Sequence, residues 1–170
     1  MAEVNVRPFE DGDAAGVIDL IVGIQRGEYE IAITADDQPD LSSIPRFYQT
    51  GAGNFWVAVV DGEVVGTLGL RDIGEGDVAL RKMFVAAQFR GEPHRVAQRL
   101  LSAALAWAAD QNTRNIFLGT TSRFLAAHRF YEKNGFELVP RETLPETFPV
   151  MAVDTRFYRR PLGEAPVSAS

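Results

Sequence analysis

Apolar residues recur at helical spacing through Ala14, Val17, Ile18, Ile21 and Ile24, with Asp11 or Asp13 where the cap of such a helix belongs and Gly27 placed to end it. A short strand near residues 4–7 precedes this helix. The following segment, GEYEIAITADDQPDL, has neither a helical nor a strand period, and Pro39 blocks a continuing helix, so a loop is expected before a short helix around residues 41–49. The runs FWVAVV and EVVGTLGL then flank Asp61-Gly62, a hairpin signal because both central positions of a type I′ turn need positive φ. Trp56, inside the first run, reads as core. A further strand, DVALRKMFV, follows the loop at residues 74–76.

The longest helical stripe comprises Val96, Leu100, Leu101, Ala104, Leu105 and Ala108, in a helix expected over residues 93–111 with Pro93 in its first turn. NIFLGTT reads as a buried strand, SRFLAAHRFYEKN as a helix, Gly135 as its left-handed cap, FELV as a short strand and VMAVDTRFYRR as a closing strand. Hairpins come first and helices alternate with strands later, which predicts an α+β sandwich around a mixed sheet rather than a doubly wound nucleotide fold. The 170 residues fit one domain over residues 1–160, followed by a small-residue tail over 161–170.

Composition narrows the chemistry. Without cysteine there is no disulfide framework, thiolate metal site or thiol nucleophile, and His94 and His128, the only histidines, have no metal-site spacing. No apolar run approaches the roughly 20 residues that span a bilayer, and the N-terminus has no signal-peptide pattern, so a soluble cytoplasmic protein without membrane contact is expected. A formal charge of −6 argues against a nucleic-acid partner. The charge is unevenly spread: residues 28–40 hold Glu28, Glu30, Asp36, Asp37 and Asp40 and no base, whereas residues 81–99 hold Arg81, Lys82, Arg90, Arg95 and Arg99 against Glu92. The first stretch suits a cation and the second a phosphate.

LRKMFVAAQFRG leads into a helix with VAQRLL, and after one strand comes AAHRFYEKNGF. In this order and spacing, over about residues 80–138, the two segments resemble the central motifs of the GNAT acetyltransferases. The resemblance implies a GNAT-like mixed, mostly antiparallel sheet with helices on both faces and a splayed central pair of strands. It also implies acetyl transfer from acetyl-CoA to a primary amine by direct attack, with no metal. In that family the strand carrying Met83, Phe84 and Val85 parts from its neighbour, and the pantetheine arm bonds to its backbone as a false strand. Arg90, Gly91, Arg95, Val96 and Ala97, at the next loop and helix start, would hold the pyrophosphate. Phe124 and Ala127 would lie along the arm, with Phe124 standing where the family often has asparagine.

The phosphate motif departs from Gln/Arg-x-x-Gly-x-Gly/Ala, since Glu92 takes its first position and Arg95 the glycine position, leaving Ala97 as the match. An arginine there obstructs close backbone approach if φ must be positive, or supplies a charge-assisted contact instead. The resemblance places Tyr131 on the tyrosine that in many family members protonates the departing CoA thiolate. Phenol and thiol pKa values lie within about two units, which makes that transfer reasonable. Taken alone, Tyr131 reads as core packing with Phe130 and Phe136.

The attacking amine must lose a proton, and Glu28 is the first candidate base, followed by Asp37 and Asp40; Tyr29 and Tyr48 are candidate walls of a pocket for a small-molecule or peptide amine. Asp36, Asp37 and Asp40 read equally as turn and cap residues beside Pro39. His128, one turn before Tyr131, is expected on a solvated outer face. A homodimer is compatible with this reading. The alternative function is a CoA-binding or ligand-sensing module that has lost turnover, which Arg95 and Phe124 would favour.

Overall fold

Side-chain alternation along the second strand separates two cores. Phe55 and Val57 point to one face of the sheet and pack with Val17, Ile21, Ile44 and Tyr48, whereas Trp56 and Ala58 point to the other and pack with Val96, Leu100, Leu101 and Ala104. In this computed structural model, which describes residues 3–28, 34, 37–91, 94–121, 125–151 and 154–162, the strands are β1 (Asn5–Pro8), β2 (Asn54–Val60), β3 (Glu63–Gly74), β4 (Asp77–Val85), β5 (Asn115–Thr120), β6 (Glu137–Val139) and β7 (Arg156–Pro161). They form one sheet in the order β1-β2-β3-β4-β5-β7-β6, antiparallel except where β4 meets β5. Helices α1 (Ala14–Gly27) and α2 (Ile44–Phe47) cover the Phe55 face, and α3 (Val96–Asp110) and α4 (Leu125–Lys133) the Trp56 face.

Local chemistry accounts for most boundaries. Asp61 and Gly62 turn β2 into β3 at φ 51° and 79°. Gly135, at φ 89°, ends α4. The stripe Val96, Leu100, Leu101, Ala104 and Ala108 is fully buried, and Gly66 lets α3 lie flush on β3, because a Cβ there would stand 2.9 Å from Val96. Truncating Leu100 or Leu101 to alanine should cost about 2–5 kcal/mol.

Three boundaries differ from expectation. The carboxylate of Asp13, at the N-cap position of α1, makes no bond to the helix; it accepts from the Arg7 guanidinium at 2.8 and 2.9 Å and from the Glu10 amide at 2.9 Å. Helix α3 begins at Val96 with Arg95 as a left-handed N-cap, and Pro93, expected in its first turn, lies outside the described residues. The last strand begins at Arg156 instead of residue 150, and before it the Asp154 carboxylate accepts from the Met151 amide at 2.9 Å.

Candidate active site

The sheet opens in the middle. β4 pairs with β5 at Asp77↔Asn115, Val78↔Ile116 and Ala79↔Phe117, and there the pairing ends. Beyond it β4 stays with β3 as far as Val85, while β5 stays with β7 as far as Thr120. The main-chain edge of residues 80–85 is therefore unpaired on the β5 side, a template for an extended ligand.

A bulge reshapes β4 at this opening. Gly69 faces Arg81 and Thr67 faces Phe84, so Lys82 and Met83 together oppose Leu68. Lys82 is left-handed at φ 56°, a conformation that costs a non-glycine residue about 1–2 kcal/mol, and the Thr67 hydroxyl secures its carbonyl at 2.7 Å. Consecutive side chains are thereby re-aimed. Lys82 bonds to Gln38 and stands 3.8 Å from Asp40, beside α2, whereas Met83 joins the core under α3 and α4.

Tyr131 reaches this strand from α4. Its ring packs against Phe130, Phe136 and Tyr158 at centroid distances of 5.8, 5.5 and 6.0 Å, and its hydroxyl donates weakly to the Met83 sulfur at 3.8 Å. Burial pushes the phenol pKa up, so the group keeps its proton and can donate it. The core role and the donor geometry coexist in one side chain.

Two described residues after β4 take positive φ near the start of α3. Gly91 and Arg95 are left-handed at φ 68° and 51°, and the Arg95 amide donates to the Gly91 carbonyl at 2.8 Å. The arginine thus adopts a positive φ, a conformation that glycine takes without strain. No side chain of Arg95 caps α3, whose first amides, at Val96 and Ala97, lie at the positive end of the helix dipole. Arg90 donates through Nε to the Val85 carbonyl at 2.8 Å and grips both Glu28 carboxylate oxygens, Nη1 to Oε1 at 2.8 Å and Nη2 to Oε2 at 3.0 Å.

The sequence matches the model of the Acetyltransferase (GNAT) family over residues 11–136. The chain belongs to the GNAT family. An acetyltransferase of that family from Staphylococcus aureus Mu50 is 36% identical, with a TM-score of 0.88 over 95% of this chain and all of the other. N-acetylaspartate synthetase of Xenopus tropicalis is 39% identical over 102 residues, which are 59% of this chain but only 37% of that protein. The PaiA N-acetyltransferase of Thermoplasma acidophilum, whose structure holds coenzyme A, shares the fold at a TM-score of 0.70 and 13% identity, covering 94% of this chain and 99% of the other.

Against this GNAT frame the acceptor-side residues fall differently from expectation. Tyr48 is fully buried between Phe47 and Phe55 and donates to Asp40 at 2.7 Å, so it is a core strut and not a pocket wall. Asp40 is buried beneath it and neutralised by Lys82, whose ammonium pKa is pulled down by burial and held up by Asp40. Asp37 accepts from the Thr34 amide at 3.0 Å and hydroxyl at 3.1 Å, the turn role. Glu28 is engaged by Arg90. His128 is 4% exposed and not solvated, because positions 128 and 131 share the inner face of α4; its Nε2 donates to the Thr121 carbonyl at 2.9 Å, and its Nδ1 has no hydrogen-bond partner among the described residues. Trp56 is core, at 4% exposure. Ala127 is partly buried beside the Met83 core, and Tyr29 and Phe124 lie outside the described residues.

Sequence reasoning missed the Gln25–Gln38–Lys82 chain, in which the two buried amides bond at 2.8 and 3.2 Å and anchor the bulged lysine; two glutamines thirteen residues apart carry no pattern that signals this. Among the described residues no group of three or more metal-ligating side chains occurs, and no helix is long and apolar enough to cross a membrane.

Proposed function

We propose that the chain transfers an acetyl group from acetyl-CoA to a primary amine by direct attack. The observation that carries this reading is the opening of β4 from β5 after Ala79↔Phe117, with the Tyr131 hydroxyl aimed at Met83 on the opened strand. Coenzyme A in the PaiA structure, and relatives named as an N-acetylaspartate synthetase and as N-acetyltransferase family 8 members, support the same donor and reaction.

In this reading the pantetheine arm pairs with the free edge of residues 83–85, and a backbone amide at the end of that strand stabilises the oxyanion. The amine attacks the thioester carbonyl, the C–S bond of the tetrahedral intermediate breaks, and Tyr131 gives its proton to the thiolate. The proton lost by the amine goes to a carboxylate or through water, and the phenolate is reprotonated from that pool. Glu28 serves as the carboxylate once the pyrophosphate competes for Arg90, which both anions need. Arg95, Val96 and Ala97 hold the pyrophosphate, Arg95 through its guanidinium and the helix start through its amides.

Calorimetric titration with acetyl-CoA, with CoA as comparator at two salt concentrations, tests the donor site. Salt-sensitive micromolar binding is expected, and ligand at about 100 times Kd should add about 2.7 kcal/mol of stability. An amine panel read by thiol release then tests turnover. Binding without release from any amine would leave a ligand-binding module, and no binding would overturn the donor assignment.

A further inference from the structure

Two arginines stand together on the α2 face of the sheet with no carboxylate partner among the described residues. Arg71 and Arg81 come from adjacent strands, with Arg71 opposite Ala79 and Arg81 opposite Gly69. Both guanidiniums approach the same ring, Phe47 of α2, Arg71 at 3.8 Å from its centroid and Arg81 at 5.6 Å. Both side chains are partly buried.

Elsewhere in the described structure Arg7, Lys82, Arg90 and Arg156 are paired with Asp13, Asp40, Glu28 and Glu132, and the partly buried Arg159 and Arg160 donate to the Asn115 amide oxygen and the Asn134 carbonyl at 2.9 and 2.8 Å. Among the described residues no carboxylate comes within 4 Å of Arg71 or Arg81. The hydrogen-bond partner of Arg81 is the Met151 sulfur at 3.6 Å, a weak acceptor for a full positive charge. Arg81 acts on Asp154 through its charge without coming within ion-pair distance of it, and Oδ2 of that carboxylate accepts from the Met151 amide at 2.9 Å. Two like charges beside one ring repel each other, an anion between them relieves that repulsion, and a guanidinium is the side chain that suits a carboxylate.

The position matters as much as the charge. Arg81 immediately precedes the bulge at Lys82, and its side chain spans from Phe47 of α2 to Met151 of the segment before β7. It lies on the sheet face opposite Met83 and Tyr131, so a group held there approaches the open strand from the side away from the thiolate acid.

We infer that Arg71 and Arg81 form the carboxylate-binding subsite of the acceptor, and that the acceptor is an α-amino acid with a free carboxylate. This rests on the acetyl-transfer reading. A carboxylate on the carbon that bears the amine restrains the attacking nitrogen more tightly than a remote one does, because fewer rotatable bonds separate the two groups.

The test has two arms. In the first, thermal shift is measured with succinate and with aspartate, without acetyl-CoA, on the parent, Arg81→Gln and Arg71→Gln. Stabilisation of the parent that either variant loses is expected, and equal shifts in all three proteins overturn the subsite whether or not the chain turns over. In the second, kcat/KM is compared for aspartate, glutamate, asparagine amide, spermidine and an amidated peptide with an acidic second residue. The free amino acids should lead, and Arg81→Gln should lower their kcat/KM at least tenfold, chiefly through KM, with KM for acetyl-CoA unchanged. Preference for spermidine or the peptide overturns the assignment. If no amine releases CoA while succinate still protects the parent only, the transferase reading fails and the anion site stands.

Discussion

Arg90 clasps Glu28 by both carboxylate oxygens, at 2.8 and 3.0 Å, and ties the end of α1 to the loop that follows the opened strand. The side chains are 35% and 41% exposed, so the pair contributes little to stability, about 0.2–1 kcal/mol. Its consequence is competition, since a pyrophosphate and Glu28 seek the same guanidinium. Glu28→Gln should therefore change the urea midpoint little, tighten acetyl-CoA binding several-fold at low salt, and slow turnover. Unchanged affinity in calorimetry would remove Arg90 from the phosphate site.

Tyr131→Phe should leave the fold and acetyl-CoA affinity nearly intact, because the hydroxyl has only a weak contact with the Met83 sulfur. Turnover should fall by about 100-fold or more if the phenol is the acid. Burial raises its pKa, so it stays protonated across the ordinary assay range, and the parent's alkaline limb should not be moved by the substitution. Equal kcat in variant and parent would confine Tyr131 to packing.

Arg95→Gly should stabilise the chain by about 1 kcal/mol, because arginine pays for the left-handed conformation at φ 51° and places a positive charge at the positive end of α3. Acetyl-CoA binding should persist with a shallower salt dependence. Loss of stability in thermal melts would show that the contacts of the side chain outweigh the backbone strain.

Asp13 makes its contribution above the carboxylate range. The Arg7 guanidinium holds the folded pKa below its ordinary value, so the stabilisation is fully present above the unfolded-state pKa and is lost as pH falls through the folded one. Asp13→Asn should cost about 1–3 kcal/mol at pH 7 and progressively less in acid. Denaturant titrations of both proteins at several pH values check this; a constant difference would remove the charge from the explanation.

Elements governed by near neighbours were legible in the chain. The α1 and α3 stripes, the Asp61-Gly62 turn, the Gly135 cap and the two motifs around Met83 and Tyr131 are local patterns, and each has its expected place because periodicity, positive φ and helix capping act over a few residues. Composition likewise removed thiol chemistry outright. These features were enough to point to the family.

What the tertiary structure decided depends on residues far apart in sequence. Lys82 takes its bulge from pairing with β3, and its charge is met by Asp40 and Gln38 from a loop that carries no periodic signal. Glu28 and Arg90, read separately as base and phosphate ligand, turned out to be partners. His128 was buried by its shared face with Tyr131, and Tyr48 was drawn into the core by Phe55. The pairing of Arg71 with Arg81 needed two strands and a helix to meet. Charge and burial at such points are set by which surfaces pack together, a property of the folded chain that no local stretch of sequence encodes.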